Sequence, residues 1–242
     1  MRINRTEQVI DKQPYFYGKN IYSNLIEKLS PRDIYSNAKP EEFIELRNIF
    51  NNLWKQLGLP ENLKPRIQYK AMLSNMAFSV KDYTIYIEKN LSPFKMNLRN
   101  KTGEHESLLR HEIEHVKQIW YIVRLVGADN MEEEFQTNLK WLKIDVSPSL
   151  LKKMHDIENT LGRILPSSKE AGIAKQYLEA LRNYPETSHY YGILSFKELK
   201  EYIKYKNNFL EKEAKNAADK YKPTYLKILK TSIIEFLKIL RH

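Results

Sequence analysis

Residues 104–124 read EHESLLRHEIEHVKQIWYIVR, and this stretch decides how the chain is to be read. Its apolar residues Leu109, Ile113, Val116, Trp120 and Val123 recur at helical spacing, as a helix with one face turned to a core requires. His111 and His115 lie off that stripe and share a face of their own, about one turn apart. Two imidazoles so placed can bind a single zinc ion, and Glu112 is placed to hold and deprotonate an adjacent water. Glu114 points away from such a site and reads as a solvated or supporting residue. Thr102 is the expected N-cap, with Glu104 and Glu106 in the first turn, where the helix dipole favours negative charge.

Working outward, the period changes upstream of this helix. IQYKAML, MAFSV and YTIYIE, between Arg66 and Glu88, are short and rich in β-branched and aromatic residues, which predicts a small antiparallel β-sheet. Leu91, Ser92 and Pro93 break that pattern, and a polar loop is expected up to Gly103. An earlier helix is expected from Glu41 to Leu57, with Phe43, Ile44, Leu46, Ile49, Phe50, Leu53 and Leu57 at helical spacing, and residues 1–20 read as an irregular segment. Downstream, several helices are expected between Asn130 and Arg182, with breaks near Ser147-Pro148 and Pro166-Ser167-Ser168. One long helix is expected from Ser195 to Tyr221. Residues 224–242 form an amphipathic, basic terminal helix whose stripe of Leu226, Leu229, Ile233, Phe236 or Leu237, and Leu240 is expected to dock on the core rather than lie on a membrane surface. The expected fold class is α+β and mostly α-helical, in one domain over residues 1–242.

Composition narrows the chemistry. The 242 residues include no cysteine, so a metal must be held by His and carboxylate groups alone. The N-terminus lacks the apolar stretch of a secretory signal, and no transmembrane segment is expected, which reads as a cytoplasmic protein; a signal-independent export route would leave no trace in the sequence. The formal charge is +10, but lysines are scattered among Asn, Ile and Tyr along the whole chain. That pattern reads as a solvated surface, and no nucleic acid partner is expected.

Catalytic zinc normally takes three protein ligands and leaves a fourth position for water. A third histidine at H-E-x-x-H-x-x-G-x-x-H spacing is excluded, because Gln118 and Tyr121 stand where Gly and His would be needed. The third ligand is then a His elsewhere, a Glu or an Asp, and two stretches offer a carboxylate: Glu132, Glu133 and Glu134, or Glu211 and Glu213.

The H-E-x-x-H string His111-Glu112-Ile113-Glu114-His115, followed far downstream by Glu211, Glu213, Ala214, Ala217 and Ala218 as E-x-E-A-x-x-A-A, resembles the gluzincins. These are metallopeptidases whose third zinc ligand is a glutamate on a second helix. The resemblance implies a zincin-like fold with a long helical insertion before the third-ligand helix, and Zn2+ held by His111, His115 and Glu211. It implies that Glu112 is the general base and that Ala214 lets the two helices approach. Gln118 also recurs in several gluzincin families, and Met76 to Val80 or Thr84 to Glu88 would be the edge strand along which a peptide or protein substrate lies. The chain departs from some families in carrying Lys215 four residues after the ligand, which leaves Asp219 as a substitute supporting carboxylate.

The expected activity is zinc-dependent hydrolysis of peptide bonds, with His189, Tyr190, Tyr191, Tyr205 and Tyr221 as candidates to stabilise the oxyanion. His105 and His155 read as structural. The alternative is a non-catalytic basic helical interaction or effector protein with a structural or degenerate zinc site.

Overall fold

The computed structural model describes residues 40–70, 76–88, 93–139, 144–184 and 196–239. Helix α1 (Pro40–Gln56) leads to strands β1 (Arg66–Lys70), β2 (Met76–Ser79) and β3 (Thr84–Glu88). Helices α2 (Pro93–Thr102), α3 (Glu104–Val126) and α4 (Met131–Thr137) follow, then α5 (Pro148–Leu161) and α6 (Lys169–Arg182). Helices α7 (Phe196–Asn207), α8 (Phe209–Asp219) and α9 (Tyr225–Ile239) complete the described chain. The fold class is α+β with helix predominating. The irregular segment expected at residues 1–20 lies outside the described residues.

Helix α3 is the central post. Its predicted stripe is buried as a set, Leu109, Ile113, Val116, Trp120 and Val123 all facing the core, where Trp54 of α1 meets Trp120 edge to face at 5.8 Å. On α1 the stripe holds at Leu46, Phe50 and Leu53, but Ile44 and Leu57 stay exposed, and Trp54 takes the place the pattern gave to neither.

The sheet is mixed, correcting the antiparallel expectation. Its order is β1-β3-β2, with β1 parallel and β2 antiparallel to β3. The reason lies in which strand can stand being buried. TIYIE of β3 is buried on both faces, at Thr84, Ile85, Ile87 and Glu88, and so takes the centre, whereas β1 alternates between exposed and half-buried positions as an edge strand does. The chain reverses twice between β1 and β3, and inserting β3 between the two earlier strands makes β1 and β3 parallel. Of the two candidate edge strands, Met76–Ser79 is therefore at an edge and Thr84–Glu88 is not.

Three further corrections concern helices. The expected polar loop before the motif is, from Pro93 onward, the helix α2. Proline suits the first helical position, since its missing N–H would have no partner there. Thr102 consequently ends α2 rather than capping α3. The join is Gly103, at φ 86, a left-handed conformation that glycine adopts without steric cost, and Thr102 Oγ1 accepts only a long 3.4 Å bond from the Glu104 N–H. The long helix expected from Ser195 to Tyr221 is broken at Asn208. Its side chain accepts from Leu210 N at 2.9 Å and donates to Ala180 O at 2.8 Å, so the residue both starts α8 and ties it to α6. The breaks expected near Ser147 and Ser168 are present, each serine capping the helix that follows it.

The third correction is on α9. Of its predicted core stripe Leu226, Ile233 and Leu237 are exposed, whereas Leu229 and Phe236 are half-buried and Leu240 lies outside the described residues; the fully buried positions are Ser232 and Glu235. The cause is Glu235, which accepts bonds from Asn97 and Lys101 of α2 and pairs with Lys238, holding the opposite face of the helix against the protein. No helix among the described residues is long and apolar enough to cross a membrane.

Of the acidic cluster on α4, Glu134 is structural. Arg182 of α6 donates through Nε and Nη2 to its two carboxylate oxygens at 2.8 and 2.9 Å. Those bonds from Arg182 hold its pKa below the ordinary 4.5, against the effect of burial, and Asn138 assists. A carboxyl with a depressed folded-state pKa contributes stability above its unfolded value and loses it as pH falls through the folded value. Glu134→Gln should therefore cost about 2 kcal/mol near pH 7 and progressively less towards about pH 3, measured by denaturant unfolding at each pH. An equal loss at both would show that the ion pair carries none of it.

Candidate metal centre

The site is built where α3 and α8 pack antiparallel. Ser107 Oγ donates to Ala218 O at 3.1 Å, His111 hydrogen-bonds the Ala214 backbone, and Gln118 Nε2 donates to Leu210 O at 3.0 Å. Going up α3 thus means going down α8. Glu211, Ala214 and Ala218, at i, i+3 and i+7, form the buried face of α8, and the two alanines allow the close approach that brings backbone carbonyls within reach of α3 side chains.

That packing brings together His111, His115 and Glu211, the group among the described residues able to hold a metal ion. The two Nε2 atoms lie 3.1 Å apart, Glu211 Oε2 is 3.5 Å from His111 Nε2, and Oε1 is 3.5 Å from His115 Nε2. Atoms at the corners of a tetrahedron around zinc, each about 2.0–2.2 Å from it, stand about 3.3–3.5 Å from one another. The two imidazole nitrogens stand close to that spacing, the Glu211 carboxylate turns one oxygen to each of them, and one ligand atom from each residue lies within 4.8 Å of the other two. The imidazole rings cross at 87°, so their Nε2 atoms converge on one point while the rings stay clear of each other.

Each donor is held by a partner. His115 Nδ1 bonds Gln118 Oε1 at 2.9 Å, and since the amide oxygen can only accept, Nδ1 carries the proton and Nε2 presents a lone pair. Gln118 itself is fixed by its bond to Leu210 O on the opposite helix. Burial disfavours a charge on His111, but the Glu211 bond, Glu112 and the Ala214 backbone outweigh it and raise its pKa above 6.5.

Glu211 sits in the first turn of α8, where the helix dipole favours an anion. Burial works against its ionisation, yet the bond to His111, the nearby His115 and the Tyr184 hydroxyl bring its pKa down to about 2. Tyr184 donates to Oε1 at 2.5 Å, and the Tyr205 hydroxyl lies beside the same carboxylate. Burial, with the carboxylate beside them, pushes both phenols far above 10, so both remain donors.

Glu112, the expected base, is buried next to His111, and its Oε2 accepts the Phe78 N–H of β2 at 2.7 Å. Glu114 is drawn off to Lys117 at 2.6 Å, as its direction on the helix implied. The remaining carboxylates fall elsewhere: Glu134 on Arg182, Glu132 and Glu133 exposed on α4, and Glu213 beside Asn216. Of the expected oxyanion candidates, Tyr205 is at the site, and Tyr221 lies 3.4 Å under the Arg110 guanidinium. His189, Tyr190 and Tyr191 lie outside the described residues. His105 is buried and bonds Asn100 at 2.6 Å, and burial lowers its pKa to about 3, in keeping with a structural role; His155 pairs at the surface with Asp129.

Tyr184 is the residue that sequence reasoning missed. It stands 27 positions before its partner in a segment readable only as a helix end, and no spacing rule connects the two. A ligand carboxylate held in place by a neutral donor loses affinity when that donor is removed. Tyr184→Phe should weaken any divalent-metal binding at this group by about 10–100-fold, measured by competition with a chromophoric chelator. Unchanged affinity would show that the carboxylate needs no such support. No protein-family model, curated protein or solved structure matches the chain, so the reading of this centre rests on its own residues.

Proposed function

We propose that the chain is a zinc-dependent metallopeptidase of the gluzincin kind, with a zincin-like arrangement of edge strand, motif helix and third-ligand helix. The observation that carries this reading is the convergence of His111 Nε2, His115 Nε2 and the Glu211 carboxylate beside the buried Glu112. His111, His115 and Glu211 are the proposed ligands of Zn2+. When bound there, zinc would polarise a scissile carbonyl and lower the pKa of water towards about 7.

The other roles belong to side chains of this chain. Glu112 accepts a proton from the attacking water and delivers it to the leaving amine. With Oε2 held by the Phe78 N–H, Oε1 is the atom assigned to that transfer. The same bond joins the base to the edge strand β2, along which an extended peptide substrate would pair. Tyr205, kept protonated beside Glu211, is the expected oxyanion donor that lies at the site, and would turn its single O–H from the carboxylate to the developing charge.

A second reading, a basic helical interaction or effector protein with a structural or degenerate metal site, draws on one observation. The Phe78 N–H occupies a Glu112 oxygen that a catalytic base would otherwise offer to water. Glu112→Gln separates the two. On the first reading the variant keeps about one equivalent of zinc and loses at least about 100-fold in the cleavage rate of an unstructured protein such as casein. Retained cleavage would refute the base assignment, and a metal-loaded wild type that cleaves no peptide library would favour the second reading.

A further inference from the structure

Helix α9 leaves much of its apolar surface outside. Its inward side carries Ser232 and Glu235, 2% and 6% exposed, with Ile228, Leu229 and Phe236 half-buried beside them, while Leu226, Ile233 and Leu237 are 71%, 46% and 48% exposed. These three residues recur at i, i+7 and i+11 on the outward face, with Lys230 in the turn between Leu226 and Ile233 and with Tyr225 and Ile234 also exposed. Single exposed apolar residues are ordinary, but several large ones gathered on the outward face of one helix mark a surface that meets something apolar.

Charge says what. The one acidic residue of α9, Glu235, is buried and engaged by Lys101 at 2.7 Å and Lys238 at 3.0 Å. The outward half of the helix therefore carries Lys227 and Lys230 and no carboxylate, in a chain of formal charge +10. A second copy of the chain would have to bring these lysines against their own counterparts. A nucleic acid would meet aliphatic side chains where it needs stacking rings or phosphate partners. Exposed aliphatic side chains interleaved with lysines match the boundary between headgroups and acyl chains of an anionic bilayer.

We infer that the outward face of α9 docks the protein on anionic lipid surfaces, through Leu226, Ile233 and Leu237 in the acyl boundary and Lys230 among the headgroups. The inference is independent of the metal centre. No residue of the His111, His115 and Glu211 group lies on α9.

The test is co-sedimentation of the full chain with vesicles of phosphatidylcholine alone and of phosphatidylcholine with phosphatidylglycerol. Binding is expected to the anionic vesicles only, to fall with added salt, and to weaken more than about tenfold in Leu226→Ser/Leu237→Ser. Lys230→Glu should weaken binding and reduce its salt dependence, and both variants should keep wild-type circular dichroism because the altered side chains face outward. Absence of binding to anionic vesicles at low salt would overturn the inference. So would equal binding by the folded double serine variant, or a concentration-dependent dimer of the wild type that the same serines abolish, since the stripe would then be a contact between copies.

Discussion

The close antiparallel packing of α3 on α8 is the constraint on which the rest of the site depends. His111 and His115 are one turn apart on any helix, but a carboxylate nearly a hundred residues away meets them only if two backbones come close enough for side chains on one to reach carbonyls on the other. Ala214 and Ala218 make that possible, and Ser107, His111 and Gln118 use the approach by bonding the α8 backbone at successive turns. The bonds that align the helices also set the side chains that form the triangle. Gln118 is the clearest case, with one end of its amide on α8 and the other on His115 Nδ1.

What was legible in the sequence was whatever is encoded locally. The α3 stripe, the separate histidine face and the direction of Glu114 follow from helical periodicity alone, and all three are realised in the structure. Glu211 stood out only through the resemblance of its E-x-E-A string to the gluzincins; the residues alone left it beside Glu132, Glu133, Glu134 and Glu213 as a candidate. The serines that cap α5 and α6 were equally plain.

What was illegible depended on competition between distant segments. Nothing within MAFS or TIYIE says which strand is central; only the comparison of their apolar content does, and it sets the order β1-β3-β2. On α9 the hydrophobic pattern gave one inward stripe, but a buried glutamate bonded to α2 shares the inward face with half-buried Leu229 and Phe236 and leaves Leu226, Ile233 and Leu237 outside. Asn208 was misread for a related reason. A capping side chain in a run of helix formers interrupts the helix only when a neighbour, here Ala180 O, fixes its amide.

The central claim is that three residues from two helices form one metal centre, and zinc content of the purified chain tests it most directly. The wild type, expressed with zinc in the medium and dialysed, should carry about one equivalent, and Glu211→Ala should retain less than about a tenth of it while keeping its helical circular dichroism. Less than about half an equivalent in the wild type, or full occupancy in folded Glu211→Ala, would contradict the account.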